Sequence, residues 1–129
     1  MAMTTLVSSA SQADSATTLS AAVAFLPSYT VNCSCVNGVG QPTTPCKVEL
    51  MLSIDGTNYV SVDKRWFGMA PSQTYWETFK LADYAGASQF RGADNIDRAN
   101  ASGTTQWADF KVNFYNNTGA AVTIFCQYG

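Results

Sequence analysis

The chain has 129 residues, enough for one domain that buries roughly two thirds of the surface its unfolded form would expose. Charged residues make up 12% of the chain, well below the roughly 25% that is usual in soluble proteins, so the predicted exterior is mostly neutral and polar. Seven Lys and Arg residues against nine Asp and Glu residues give a net charge of −2. This charge provides no field to attract nucleic acid or an anionic membrane, and we expect neither as a partner.

The N-terminal segment, residues 1–17, is rich in Ser, Ala and Thr and shows little apolar periodicity. Such a segment buries too little surface to order itself. The sequence therefore predicts a flexible N-terminal arm, or a loose edge strand, ahead of a β-sandwich domain over residues 18–129. The segment lacks the basic and continuous apolar regions of a secretory signal, and no window approaches the roughly 18 apolar residues of a membrane span. We expect a soluble protein made in a reducing compartment.

Two strands are predicted next in the chain. Residues 18–26 end at Pro27, a residue type that closes a strand, and carry one apolar row made of Leu19, Ala21, Val23 and Phe25. Residues 29–36 form the second strand. Residues 37–45 contain two Gly and two Pro and predict a loop.

The clearest pattern is the segment KVELMLSIDGTNYVSV, residues 47–62. Successive side chains of a strand point to opposite faces, and the predicted core-facing row consists of Cys46, Val48, Leu50, Leu52 and Ile54. The pair Asp55-Gly56 then supplies residues that tolerate positive φ, and the apolar alternation resumes at Tyr59. This order of features predicts a β-hairpin.

Three more strands are predicted in the second half of the chain. Residues 73–81 alternate, but Glu77 interrupts their apolar row, so we expect an edge strand. Alternation returns over residues 107–115 and, after a turn of hairpin chemistry, over residues 121–128. Residues 91–106 carry no periodicity, and loops longer than about 12 residues are usually functional or mobile. The predicted fold is a single all-β domain, an antiparallel, jelly-roll-like β-sandwich of about eight strands.

Four cysteines, Cys33, Cys35, Cys46 and Cys126, all fall on predicted core faces. Buried Cys behaves as a small hydrophobic residue, so packed thiols are the favoured interpretation. A bridge from Cys126 to one of the other three is the alternative, because terminal strands often pair with early ones. A zinc site is disfavoured, since the chain has no His and lacks the paired C-x-x-C spacing.

The sequence offers no set of catalytic residues. The commonest general base is missing because the chain has no His, and most carboxylates fall in turns or at outward strand positions. Asp94, Asn95 and Asp97 carry oxygen ligands of the kind that Ca²⁺ prefers, but their spacing matches no calcium-loop pattern. We therefore predict a protein without enzymatic activity, metal or cofactor.

Aromatic side chains outside the core rows are the stronger candidates for function. Trp66, Phe67, Trp76 and Tyr84 lie on or beside faces that the predicted core rows do not occupy. Aromatic residues are enriched at protein interfaces, so we predict that Trp66, Phe67 and Trp76 contact a partner or a second copy of the chain. Capping of the open ends of the sandwich and stacking on sugar rings are the alternatives.

Three segments, VELMLSIDGTNYVSV, QFR and ADFKVNFYNNTGAAVTIFCQ, follow the Ser/Ala/Thr-rich start in this order. Over residues 15–129 the chain resembles the small β-sandwich proteins of tailed-phage virions, which share a hairpin of the form S-x-DG-x-N-[WY] and end in two strands joined by an N-T-G-type turn. The resemblance implies a structural role, as decoration or cement on the capsid, often as trimers, or as an accessory tail element. The chain departs from this pattern in its four cysteines and in the insertion of residues 92–106.

The leading hypothesis is a bacteriophage capsid decoration (cement) protein, a homotrimer bound to the major capsid protein on the virion surface. Many weak contacts on a lattice act together. We expect them at the N-terminal arm, at the aromatic side chains and at the loop that contains Asp94, Asn95 and Asp97. The alternatives are a carbohydrate-binding β-sandwich module, which predicts Trp66 or Trp76 exposed beside polar side chains, and an accessory tail or fibre protein.

Overall fold

Nine strands and one short 3-10 helix make up the regular structure of the described residues, which are 2–84 and 107–129 of a computed structural model. The strands are β1 (Thr4–Gln12), β2 (Thr18–Leu19), β3 (Val23–Ala24), β4 (Thr30–Asn37), β5 (Lys47–Ser53), β6 (Val60–Trp66), β7 (Thr74–Lys80), β8 (Asp109–Tyr115) and β9 (Val122–Tyr128). The 3-10 helix covers Leu81–Asp83. Within these ranges, no helix is both long and apolar enough to cross a membrane. Asp94, Asn95, Asp97 and the predicted insertion lie outside the described residues.

The strands form two antiparallel sheets that enclose one core. Sheet A has the order β1-β9-β4-β7, and sheet B has the order β2-β8-β5-β6, with β3 also paired to β8. Because β2 and β3 pair with successive parts of β8, they act as two halves of one strand. The described part of the chain then has eight strands in the order of a jelly roll. The predicted all-β, jelly-roll-like sandwich is confirmed.

The core is built from the alternating rows that the sequence predicts. Completely buried side chains come from β5 (Val48, Leu50, Leu52), β8 (Phe110, Val112, Phe114), β7 (Phe79) and β9 (Ile124). Full burial of one such side chain stabilises the fold by roughly 1.5–3 kcal/mol relative to exposure. All four cysteines are buried and free, in agreement with the interpretation as packed thiols.

The predicted hairpin is formed by β5 and β6. Gly56 at its turn has a φ of +78°, and Asp55 Oδ1 accepts backbone N–H bonds from Thr57 and Asn58 at 2.8 and 2.7 Å. Both bonds lower the pKa of Asp55 well below its usual value, and the bond from Asn58 has the larger effect. Ile54 was predicted in the core row but is 38% exposed, because β5 ends at Ser53 and the turn carries the chain away from the core.

The N-terminal segment is an edge strand of sheet A. Residues Thr4–Gln12 pair with β9 along the outside of the sheet, so the expectation of a flexible arm over residues 1–17 is corrected in favour of its alternative, the loose edge strand. Val7 and Ala10 face Cys126 and Ile124, and the register shift between them leaves the two intervening serines opposite one residue of β9. Such a β-bulge breaks the period of two, which explains the missing apolar periodicity.

Residues 18–26 form two short strands instead of the predicted continuous one. Ser20 interrupts the ladder between them: its N–H donates to Val112 O at 2.9 Å, and its hydroxyl accepts from Val112 N–H at 3.0 Å. The side chain thus replaces a backbone acceptor. Leu19, the first residue of the predicted apolar row, is 52% exposed.

β7 lies at the edge of sheet A, as Glu77 predicts. Arg65 of β6 links this edge to sheet B, because its Nη1 donates to Thr78 O at 2.6 Å and its guanidinium lies 4.6 Å from the centroid of the Phe79 ring. Asp63 holds the same guanidinium at 3.1 Å. The two sheets are therefore joined at the side where β6 and β7 lie.

Candidate binding surface on sheet A

A shallow groove of about 300 Å³ crosses the outer face of sheet A. Every strand of the sheet contributes to its lining, which consists of Ser9, Ser34, Val36, Thr74, Trp76, Thr123 and Phe125. The lining has three apolar side chains and four hydroxyl side chains, and none of them is charged. The groove is thus a neutral surface with an apolar centre.

Two aromatic rings form this centre. Trp76 of β7 and Phe125 of β9 are both register partners of Ser34 on β4, so one strand separates them. Neighbouring strands lie about 4.8 Å apart, which would place side chains two strands apart at nearly 10 Å. The ring centroids are only 6.2 Å apart, in an edge-to-face arrangement, so the rings lean toward each other over Ser34. Ser34 is consequently 4% exposed, while Trp76 remains 54% exposed.

A second row of side chains continues the groove along the strands. Val36 is paired with Thr74 on one side and Thr123 on the other, and Val36 is 37% exposed. Ser9 reaches the groove from the β-bulge of β1. The second row thus adds the hydroxyl groups of Thr74 and Thr123, on either side of Val36, to the groove.

The outer face of sheet B is organised differently, because its polar groups bond to each other. Glu49 accepts hydrogen bonds from Asn113 and Ser61, both at 3.0 Å. The ammonium group of Lys47 lies 4.7 Å from the centroid of the Trp66 ring. Lys47 therefore covers part of Trp66 with a charged group, although this ring is still 64% exposed.

The three predicted aromatic contact residues differ in their exposure and in the sheet on which they lie. Trp66 and Trp76 are exposed as expected, but they lie on different sheets and do not form one surface. Phe67 is 3% exposed and stacks on Phe114 with centroids 6.2 Å apart, so its prediction as a contact residue is wrong. Its N–H donates to Cys46 O at 2.9 Å, which continues the strand geometry of β6 and turns Phe67 inward as its neighbour Trp66 points outward.

Asp94, Asn95 and Asp97 cannot be placed in either surface, because they lie outside the described residues. Phe125 and Val36 were not singled out in the sequence. Phe125 lies between the core residues Ile124 and Cys126, and this alternation is the signal that marks it as outward-facing. In residues 2–84 and 107–129, no three acidic or cysteine side chains converge as a metal site would require.

Comparisons with known proteins support the fold. No protein-family model matches the chain, and no curated protein matches it in sequence. The VP2 subviral particle of infectious bursal disease virus matches with a TM-score of 0.55 and 10% identity, over 98% of this chain and 31% of the viral chain. The Gx strain of this virus gives a TM-score of 0.54 and 9% identity, over 98% of this chain and 30% of the viral chain. A family 16 carbohydrate-binding module gives a TM-score of 0.44 and 10% identity, over 90% of this chain and 70% of the module.

The two viral matches show a shared β-sandwich and nothing more, because identities near 10% carry no information about function. The chain spans less than a third of the length of the viral chains. The resemblance to tailed-phage proteins in particular rests on the sequence segments alone.

Proposed function

We propose that this chain is a non-enzymatic structural protein of a virus particle, a decoration or cement protein that binds the major capsid protein at the particle surface as a homotrimer. The observation that carries the proposal is the groove on sheet A, in which a half-exposed tryptophan is held against a second ring. The jelly-roll fold, shared with a virus particle protein, is consistent with this role.

The groove has the properties of a contact surface for another protein. Burial of apolar area contributes about 25 cal/mol per Å², and Trp76 leaves more than half of its surface available for it. Because Phe125 already holds the indole in place, little conformational freedom is lost on binding. The neutral lining also adds no charge that a partner would have to match.

Sheet B is less suited to be this surface. Its Glu49 is already bonded within the sheet, and Lys47 lies over Trp66. A partner on this face would have to desolvate the ammonium group of Lys47, which costs free energy unless a new acceptor is supplied. We therefore assign the capsid contact to sheet A.

Trp76→Ala tests the assignment, with Trp66→Ala as the matched control for loss of an exposed tryptophan. Tailed-phage particles purified without the protein are incubated with each form, and bound protein is measured by co-sedimentation. We expect Trp76→Ala to weaken binding about 30-fold, the size of an interface hot spot of 2 kcal/mol. For Trp66→Ala we expect less than about a twofold change.

The outcomes separate the function from the surface. Wild-type protein that stays in the supernatant contradicts the proposed function, whereas equal binding of both variants contradicts the role of the groove. Light scattering after size-exclusion chromatography measures the oligomer, with three copies of the 13.8 kDa chain as the expected mass. A monomer on its own and on the particle contradicts the homotrimer.

Carbohydrate binding is the second candidate, and the same groove favours it. Trp76 presents an exposed ring in a groove that also contains the exposed hydroxyl groups of Thr74 and Thr123. An aromatic face packs against the C–H groups of a sugar ring, while hydroxyl groups bond to its substituents. The groove, at about 300 Å³, has the volume of a small ligand site.

Tryptophan fluorescence tests this candidate by titration with galacto-, manno-, gluco- and xylo-oligosaccharides. Sugar binding predicts a saturable change that Trp76→Ala abolishes and Trp66→Ala retains. No saturable change at concentrations up to about 10 mM, where even a weak site of a few kcal/mol would fill, would remove the carbohydrate-binding candidate.

A further inference from the structure

Two buried thiols face each other across the centre of sheet A. Cys33 on β4 and Cys126 on β9 are register partners, and their Sγ atoms lie 3.5 Å apart. Both residues are completely buried. They are separated by 93 positions in the sequence, so a bond between them would close most of the chain into a loop.

The backbone at this position is compatible with a disulfide. Thr30 and Gly129 exchange both of their N–H···O bonds, at 3.0 and 3.1 Å, and form a hydrogen-bonded pair of the β4–β9 ladder. Such pairs alternate with non-hydrogen-bonded pairs along the ladder. The pair formed by Cys33 and Cys126 is three positions further along, so it is a non-hydrogen-bonded pair. Cα atoms in these pairs lie about 4.5 Å apart, within the range of about 4.4–6.8 Å that disulfides span.

We propose that Cys33 and Cys126 are a site of disulfide formation that covalently joins β4 to β9 when the protein meets an oxidant. With hydrogen peroxide as oxidant, the two thiols lose two protons and two electrons as the S–S bond forms, and the O–O bond breaks to give two water molecules. The disulfide would join two adjacent strands of sheet A. Both thiols point into the core, so the bond would lie on the opposite side of the sheet from the groove.

Cys35 and Cys46 provide the competing pair, since a hydrogen bond from Cys46 lowers the pKa of the Cys35 thiol. Cys35 belongs to sheet A, whereas Cys46 leads into β5 of sheet B. A Cys35–Cys46 bond would therefore join the two sheets, whereas a Cys33–Cys126 bond would join two strands of one sheet. Peptide mapping distinguishes these two products.

Burial sets the rate of the reaction in the native state. It raises the pKa of Cys33 well above the usual value for a thiol, and the thiolate is the reactive form. We therefore expect slow oxidation of the folded protein. Refolding from urea in the presence of oxidised glutathione removes this barrier, because the thiols are accessible until sheet A forms.

Peptide mapping tests the proposal after both treatments, hydrogen peroxide on the folded chain and refolding with oxidised glutathione. Trypsin leaves Cys33, Cys35 and Cys46 in residues 1–47 and Cys126 in residues 112–129. A bridge to Cys126 links these two peptides, whereas a Cys35–Cys46 bridge stays within residues 1–47. Single variants Cys33→Ala and Cys35→Ala then identify the partner of Cys126.

The expected product is the linked pair of peptides in wild type and Cys35→Ala, and its absence in Cys33→Ala. The linked form should melt on the order of 10 °C higher than the reduced form, since it constrains a long loop of the unfolded chain. A refolded product in which Cys126 stays alkylatable, or one linked through Cys35 or Cys46, overturns the proposal. A disulfide-linked form that melts no higher than the reduced form would show that the disulfide does not fit the native backbone.

Discussion

Loss of the Asn117 side chain is predicted to destabilise this protein strongly. It is completely buried in the turn between β8 and β9, where its Oδ1 accepts from Gln12 Nε2 at 2.7 Å. Its Nδ2 donates toward the backbone oxygens of Gln12, Ala13 and Ala120 at 3.3, 3.1 and 2.9 Å. One amide thus fixes the end of β1 to the β8–β9 turn.

The magnitude follows from the number of bonds that Asn117→Ala removes. The amide has two hydrogens and so makes two full bonds as a donor, and it makes a third as an acceptor. Three bonds at about 1 kcal/mol each, plus about 1–3 kcal/mol for leaving the buried Gln12 amide without its close partner, should lower the free energy of unfolding by about 4–6 kcal/mol. At roughly 4 °C per kcal/mol for a chain of 129 residues, the melting temperature should fall by roughly 15–25 °C.

Urea unfolding followed by tryptophan fluorescence measures the loss. Asn58→Ala is the control, because Asn58 bonds to Asp55 through an equally short contact of 2.7 Å but is exposed, and its loss should cost less than about 1 kcal/mol. A double-mutant cycle with Gln12→Ala should give a coupling of at least about 0.5 kcal/mol. A loss below about 1 kcal/mol for Asn117→Ala, or additive single effects, would refute this reasoning.

Three further predictions concern the core, a close contact and a turn. Phe110→Ala should lower the free energy of unfolding by about 3–5 kcal/mol through a core cavity, and a loss under about 1 kcal/mol in urea would contradict its full burial. Gly68→Ala should cost about 1–3 kcal/mol, since its Cβ would overlap the Tyr75 ring, whereas the Cβ of Gly38→Ala meets nothing within 4 Å. Equal melting temperatures of the two variants would be inconsistent with this packing. The pKa of Asp55 is lowered in the folded protein, so the ionised carboxylate contributes stability above about pH 4, and this stability is lost as pH falls. The difference in free energy of unfolding between wild type and Asp55→Asn should therefore decrease below about pH 4. An increase of this difference in acid would contradict the prediction.

Sequence alternation was sufficient to predict the strands that form the core. In β5 and β8 every second residue is apolar and completely buried, because both strands lie inside sheet B and one of their faces is fully covered. The same rule required one of Trp66 and Phe67 to be buried, but it did not identify Phe67: counted from the buried Val60 it places Trp66 inward, and the register shift in the β5–β6 ladder reverses the two. Consecutive strand residues point to opposite faces, so Trp66 and Phe67 could not both be exposed.

The edge strand and the groove depend on information that local patterns lack. The bulge in β1 shifts the inward positions from odd to even numbering between Val7 and Gln12, which hides the strand from any search for a period of two. The groove requires Trp76 and Phe125 to lie on either side of β4. The order of strands in the sheet brings these two residues together, and a local sequence pattern does not reveal that order.

The order of strands also determines when the protein can fold during its synthesis. β8 is the strand that joins β2 and β3 to β5 in sheet B, and β9 is the strand that joins β1 to β4 in sheet A. Both follow the other strands in the chain, so they leave the ribosome after the strands with which they pair. Before that, the β5–β6 hairpin can form locally, but an isolated hairpin is marginally stable in water. Each nascent chain therefore carries its apolar strands uncovered until β8 and β9 have been synthesised, and this is the stage at which it is most exposed to aggregation and to chaperones.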